Sequence, residues 1–136
     1  MGKVSAGLFA DLEAAHAALS PAQSHKTDQA GRWDLRKLIA DGSPVRLVDQ
    51  DGQTAAAYVV QPFGRTLWIT AAAGRAGFPL CPEIDQFATA QARQGNYAAL
   101  AFRTERAALV MVTERLGYRV QRQDGASYYM RKSLND

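Results

Sequence analysis

Residues 66–102, TLWITAAAGRAGFPLCPEIDQFATAQARQGNYAALAF, hold the order on which the fold turns. Leu67, Trp68 and Ile69 sit in a strand-like run over 66–73. A glycine- and proline-rich segment follows from Gly74 to Pro82. Ile84, Phe87, Ala88 and Ala92 then share one face, so the spacing predicts a helix over 82–94. Pro82 fits its first turn, where a missing N–H goes unused, and Gly95 is the expected C-terminal cap. YAALAF, 97–102, reads as a buried strand. A strand–helix–strand unit of this kind requires a right-handed crossover, which makes residues 66–73 and 97–102 parallel neighbours.

Working outward, residues 44–74 contain three strand-like runs, 45–49, 54–61 and 66–73. Asp51-Gly52 is a strong hairpin signal between the first two, and Pro62, Phe63 and Gly64 mark the next turn. The expectation is a three-stranded antiparallel meander. Upstream, Leu8, Leu12, Ala15 and Leu19 recur at helical spacing, which predicts a helix over 4–19 ended by Ser20-Pro21. Residues 21–31 are polar and read as a loop. A second helix is expected over 32–41, with Leu35, Leu38 and Ile39 inward and Gly42 as C-terminal cap. Downstream, residues 105–116 read as a helix with Ala108, Leu109, Val112 and Leu116 inward and Gly117 as a left-handed cap. YRVQRQ and SYYMRK then flank Asp124-Gly125 as a hairpin. The order is ααβββαβαββ. It describes an α/β protein with a mixed sheet and helices on both faces.

The 136 residues suit a single domain, 1–136, with one core. Hydrophobic residues make up 47% and charged residues 21%, an ordinary balance for a soluble protein. No apolar run reaches membrane-spanning length, so no membrane partner is expected. Asp11, Glu13 and His16 break the apolar start, which excludes a signal peptide and points to a cytoplasmic setting. The single cysteine, Cys81, excludes an internal disulfide framework and a cysteine-rich zinc site. His16 and His25 lack clustered carboxylates, so no metal is expected. No Cys-His spacing supports thiol catalysis, and the phosphate-loop signature is absent. Trp33 and Trp68 read as core or sheet-face aromatics.

Net charge is +3, and residues 69–136 carry nine of the sixteen Lys/Arg against six of the thirteen Asp/Glu. Glu105 and Glu114 interrupt this basic half, and no recognition-helix motif accompanies it. A solvated face is the expectation, not sequence-specific nucleic-acid binding.

The element order, with YAALAFRTERAALVMVTERLGYRV and SYYMRKSL at its end, resembles the GNAT superfamily of acyl-CoA-dependent N-acyltransferases. RLGY, residues 115–118, stands for the family's Gly-Phe joint. Residues 129–134 stand for its Tyr-x-Met-x-Lys-x-Leu-like ending. The resemblance covers about residues 32–134, leaving 1–31 as an N-terminal helix and loop. The chain is also similar to small GNAT-like proteins encoded among bacteriophage genes.

The resemblance implies that the two parallel strands diverge at their C-terminal ends and that acyl-CoA lies in the gap. It places cofactor contacts at Thr70, Ala71, Ala72, Gly74, Arg75, Ala76 and Gly77. Gly74-Arg75-Ala76 keeps the Gly-x-Ala half of the pyrophosphate motif, but alanine replaces its leading Arg/Gln. Glu83 and Asp85 bring negative charge to the same helix end, and Pro82 removes a donor. The family's catalytic tyrosine falls on Thr113 and its asparagine on Arg106. Tyr97 and Tyr118 are the substitute acids, and Glu105 or Glu114 the candidate base.

The expectation is therefore a GNAT-like protein with a degraded acetyl-CoA motif and weak or no catalysis. The alternatives are an active small N-acetyltransferase acting on an unidentified amine, and a non-enzymatic phage-associated or virion module with a protein partner. A homodimer is compatible with each. The segment 74–82 separates them: Phe78 or Leu80 filling the gap favours the binding module.

Overall fold

The computed structural model describes residues 4–21, 34–75 and 80–134. The elements are β1 (Ser5–Gly7), α1 (Leu12–Leu19), α2 (Leu35–Asp41), β2 (Ser43–Val48), β3 (Thr54–Phe63), β4 (Thr66–Gly74), α3 (Leu80–Gln94), β5 (Ala99–Thr104), α4 (Ala107–Glu114), β6 (Arg119–Asp124) and β7 (Ser127–Ser133). The strands form one sheet in the order β1-β2-β3-β4-β5-β7-β6. β4 and β5 pair in parallel, and the other neighbours are antiparallel.

Two cores lie on opposite faces of this sheet. Ala56, Tyr58 and Val60 of β3 pack with Leu67, Leu100 and Met130 and with Ile84, Ala88, Ala92 and Val110 of α3 and α4. Ala57 and Val59 join Ala71 and Ala73 against Ala15 and Leu19 of α1 and Leu35, Leu38 and Ile39 of α2. Residues 55–60 are therefore buried on both faces, which accounts for their unbroken apolar run. Asp49 organises the β2–β3 turn, its carboxylate accepting from the N–H groups of Asp51 and Gln53.

Four local expectations need correction. The first helix does not span 4–19. Asp11 caps it, accepting from the Ala14 N–H at 2.8 Å, and Ser5–Gly7 instead pairs with β2. Leu8 is then 84% exposed, and only Ala15 and Leu19 of the predicted stripe are buried. Pairing gives the β2 edge its ladder hydrogen bonds, which a longer helix would have left unmade.

In α4 the inward face is Val110 and Thr113, while Ala108 and Val112 face outward. The run AALVMV is apolar all round, so its periodicity did not select a face. At the end of α3 the left-handed residue is Asn96 (φ 60°), not Gly95. Gly42 does cap α2, its N–H donating to the Leu38 carbonyl at 3.0 Å, and it also allows a close approach: a Cβ there would lie 2.6 Å from Val59 Cγ1 and 2.8 Å from the Val60 carbonyl. In the last hairpin Asp124 pairs with Ser127, so the turn is Gly125-Ala126. Gly117 has φ +103°, as a left-handed cap requires.

The Tyr58 ring is buried and its hydroxyl donates to Gln91 Oε1 on α3 at 3.0 Å. Burial pushes its ionisation from 10.0 up to about 12. A raised value means that its stabilisation is complete below 10 and is lost as pH climbs towards 12. Tyr58→Phe should cost about 1 kcal/mol at neutral pH. It should also make the alkaline loss of stability shallower. Urea denaturation at about pH 7 and about pH 11 measures both effects, and an unchanged alkaline slope would contradict the assignment.

Candidate functional site

The parallel ladder is short. Thr66, Leu67 and Trp68 pair with Ala99, Leu100 and Ala101, yet β4 continues to Gly74 and β5 to Thr104. Beyond Trp68 the two strands part. A β-bulge sits on β4 at this point: Val59 pairs with Ala71 and Val60 with Ile69, leaving Thr70 unmatched. The extra residue bends β4 and turns Thr70 and Ala71 towards the same face. The edge of β4 facing β5 thus presents backbone N–H and C=O groups to a gap instead of to a strand.

On the α3 side of the gap, Lys132 Nζ lies 3.0 Å from Asp85 Oδ2 and 3.2 Å from Thr89 Oγ1. This pairing answers the charge of Asp85, one of the two acids expected to oppose a pyrophosphate. Tyr118 is buried, its ring 5.2 Å from that of Phe102 in an edge-on contact. Burial, reinforced by the negative charge of Asp85, holds the Tyr118 hydroxyl far above its ordinary ionisation range. Cys81 is half-buried, and burial pushes its thiol up, while the positive charge of Arg106 opposes that shift. The Thr113 hydroxyl donates to the Leu109 carbonyl at 2.8 Å, within its own helix.

The opposite side of the gap opens into a cavity of about 660 Å³. Arg103 and Glu105 form an ion pair on one wall of it, with side chains only 9% and 10% exposed, and Arg103 also donates to Ser127 Oγ. Trp68 meets Tyr129 edge-on at 6.5 Å, and the Arg122 guanidinium lies 4.2 Å over the Tyr129 ring. Thr70 lines the same cavity; its Oγ1 is buried without a hydrogen-bond partner.

Of the expected cofactor residues, Thr70, Ala71, Ala72 and Gly74 lie on the diverging half of β4. Arg75 is turned elsewhere. Its N–H donates to the Ala55 carbonyl and its guanidinium pairs with Asp49 at 2.6 Å. Hydrogen bonding from Arg75 holds the Asp49 carboxyl below its ordinary range. Ala76, Gly77 and Phe78 lie outside the described residues, as do His25 and Trp33. Leu80 sits over Gly74, where a Cβ would meet its Cδ1 at 2.8 Å and the Ala56 Cβ at 3.5 Å. Leu80 therefore packs over the end of β4 on the α3 face of the sheet.

Of the four candidate proton carriers, Glu105 lines the cavity, Tyr118 is buried in the core on the α3 side, and Glu114 is exposed at the end of α4. Tyr97 precedes β5, roughly 16 Å of strand from Phe102. Arg103, Tyr129 and Lys132 were not singled out for the site. For Tyr129 and Lys132 the one signal was the alternation in SYYMRK, which places Ser127 and Tyr129 on one face and Tyr128, Met130 and Lys132 on the other.

Among the described residues no group of three or more His, Cys, Asp and Glu is arranged to hold a metal. No helix among them is long and apolar enough to cross a membrane.

A seven-stranded mixed sheet that splays between two parallel strands, with helices on both faces, is the GNAT acyltransferase fold. No protein-family profile and no curated protein matches the sequence. Solved structures that the chain resembles include acetyltransferases of this fold. A GNAT family acetyltransferase from Elizabethkingia anophelis with acetyl-CoA bound superposes with a TM-score of 0.77 at 12% identity, covering 97% of this chain and 99% of that one. The IAA acetyltransferase from Bacillus cereus gives 0.75 at 13% identity over 97% and 100%. The PaiA N-acetyltransferase from Thermoplasma acidophilum, in complex with coenzyme A, gives 0.72 at 11% over 97% and 99%.

Proposed function

We propose that the protein binds acyl-CoA and transfers the acyl group slowly to a small primary amine. The observation that carries this reading is the divergence of β4 and β5 beside the bulge at Thr70. It exposes a line of backbone groups to which a pantetheine amide chain can hydrogen-bond as a strand would. The acyl-CoA enters from the α3 side, and the amine enters from the cavity on the other face. Backbone N–H groups near the bulge stabilise the oxyanion that forms when the amine nitrogen attacks the thioester carbon.

Glu105 accepts the proton that the ammonium must lose before attack, and Arg103 keeps its carboxylate in place. The C–S bond then breaks, and the leaving thiolate takes up the second amine proton to become the free thiol of CoA. Thr113 stands where a phenol would serve as acid, and its hydroxyl is engaged by the helix backbone. Tyr118 is the candidate phenol on the α3 side, and burial holds its proton too tightly for easy transfer. Both features support slow chemistry. The pairing of Asp85 with Lys132 removes much of the electrostatic objection to a bound pyrophosphate.

Isothermal titration with acetyl-CoA tests the reading, with a dissociation constant expected on the order of 100 μM or weaker. Glu83→Gln should tighten it about threefold, because Glu83 retains its charge in the first turn of α3. An absence of heat with both proteins would leave a scaffold whose gap does not admit the cofactor.

A further inference from the structure

The cavity facing the diverging strands has a charge pattern of its own. Its walls carry two carboxylates, Glu105 and Asp124, and one guanidinium, Arg103. Arg103 is bound to Glu105 and to Ser127. Among the described residues, two carboxylates with Arg103 between them and Arg122 beside them suit one ammonium group and not several. Asp124 stands exposed at the end of β6, whereas Glu105 is nearly enclosed.

The remaining wall is aromatic. Arg122 already covers one face of Tyr129, and Trp68, half-buried at the base of the gap, is the larger of the two rings. Phe63 stands at the rim, 78% exposed. Thr70 adds a second, independent observation. It is 4% exposed, lines the cavity and leaves its hydroxyl unpartnered. A buried hydroxyl without a partner is costly, and an N–H group of a ligand would satisfy it.

Resting on the acyl-transfer reading above, we propose that the acceptor is a monocationic primary amine carrying a flat apolar group, with Trp68 as the residue that selects it and Thr70 as the hydroxyl that receives its N–H. The flat group stacks on Trp68 while the ammonium reaches between Thr70 and Glu105. A polyamine would bring further cations to a cavity that already contains Arg103 and has Arg122 beside it. It would also forgo the aromatic contact.

The test measures binding of 2-phenylethylamine, butylamine and spermidine to the full chain by isothermal titration. Acetyl-CoA-dependent release of free thiol is measured with the same three amines. 2-Phenylethylamine should bind about tenfold more tightly than butylamine or spermidine. Trp68→Ala should abolish that preference, and Trp68→Phe should retain most of it. Thr70→Val, nearly isosteric, should weaken 2-phenylethylamine binding about tenfold by leaving its N–H unpaired.

Equal or tighter binding of spermidine, a preference that survives Trp68→Ala, or no binding of 2-phenylethylamine would each overturn the proposal. Thiol release with spermidine alone would also overturn it while supporting acyl transfer. Selective binding of 2-phenylethylamine without thiol release from any amine would sink the transferase reading and leave the selectivity of the cavity standing.

Discussion

Glu105→Gln should lower kcat/KM for amine acylation by about a hundredfold or more while leaving acetyl-CoA affinity unchanged. Glu105 follows β5 at the point where the sheet opens, and its carboxylate faces the amine side of the gap. Glutamine preserves the side-chain volume and can still accept from Arg103. It cannot take a proton from an ammonium. In the proposed reading acyl-CoA binds on the other face of the sheet, so its affinity reports on the integrity of the gap independently of the chemistry.

A structural effect must be separated from this. Glu105→Gln removes a carboxylate paired with Arg103, whose side chain is only 9% exposed, which weakens folding as well. Thermal denaturation of the variant shows whether enough folded protein remains at the assay temperature. Retention of kcat/KM within about threefold, with the fold intact, would remove Glu105 from the chemistry.

Lys132→Met should destabilise the protein by about 3 kcal/mol. Lys132 on β7 reaches across forty-seven residues to Asp85 on α3, and both side chains are largely enclosed, at 18% and 13% exposure. Removing the ammonium leaves Asp85 enclosed, with Thr89 still donating to it. The residual exposure keeps the expected cost near the lower end for buried pairs. Asp85→Asn in the same chain should recover most of the loss, because a neutral amide needs no counter-charge.

Urea denaturation of both single variants and the double variant gives the coupling. Losses that simply add would show that the pair contributes no specific stabilisation. The cycle also bears on the site. The Lys132–Asp85 pair ties the first half of α3 to the sheet beside Tyr118, so its loss should loosen the α3 wall and weaken acetyl-CoA binding.

Much of the framework was legible because its signals are local. Asp51-Gly52 announced the first hairpin. Leu35, Leu38 and Ile39 marked the buried face of α2, and Ile84, Ala88 and Ala92 that of α3. The strand–helix–strand order of 66–102 required the parallel pair. Where local signals were ambiguous, packing decided. Leu8 and Leu12 fit a helix, but the open edge of β2 drew Ser5–Gly7 into the sheet. AALVMV offered no polar side, so contact with β5 and β6 chose Val110 and Thr113.

The candidate site was legible only in outline. The sequence indicated which segments border the gap and that Thr113 and Arg106 stand at positions where other residues would serve catalysis. It could not show that Asp85 is answered by Lys132, that Arg75 is drawn to Asp49, or that Arg103 and Glu105 close one wall of a cavity.

From its sequence alone this protein is determined to be a mixed α/β chain with a parallel β4–β5 pair, because residues a few positions apart set the periods of two and of about 3.6 that distinguish strand from helix. Only the tertiary structure decided where that pair ends, that Thr70 bulges towards an open cavity with its hydroxyl unpartnered, and which charges meet. Strand register and side-chain pairing depend on partners tens of residues away, and packing of the whole sheet selects among alternatives that are locally equivalent.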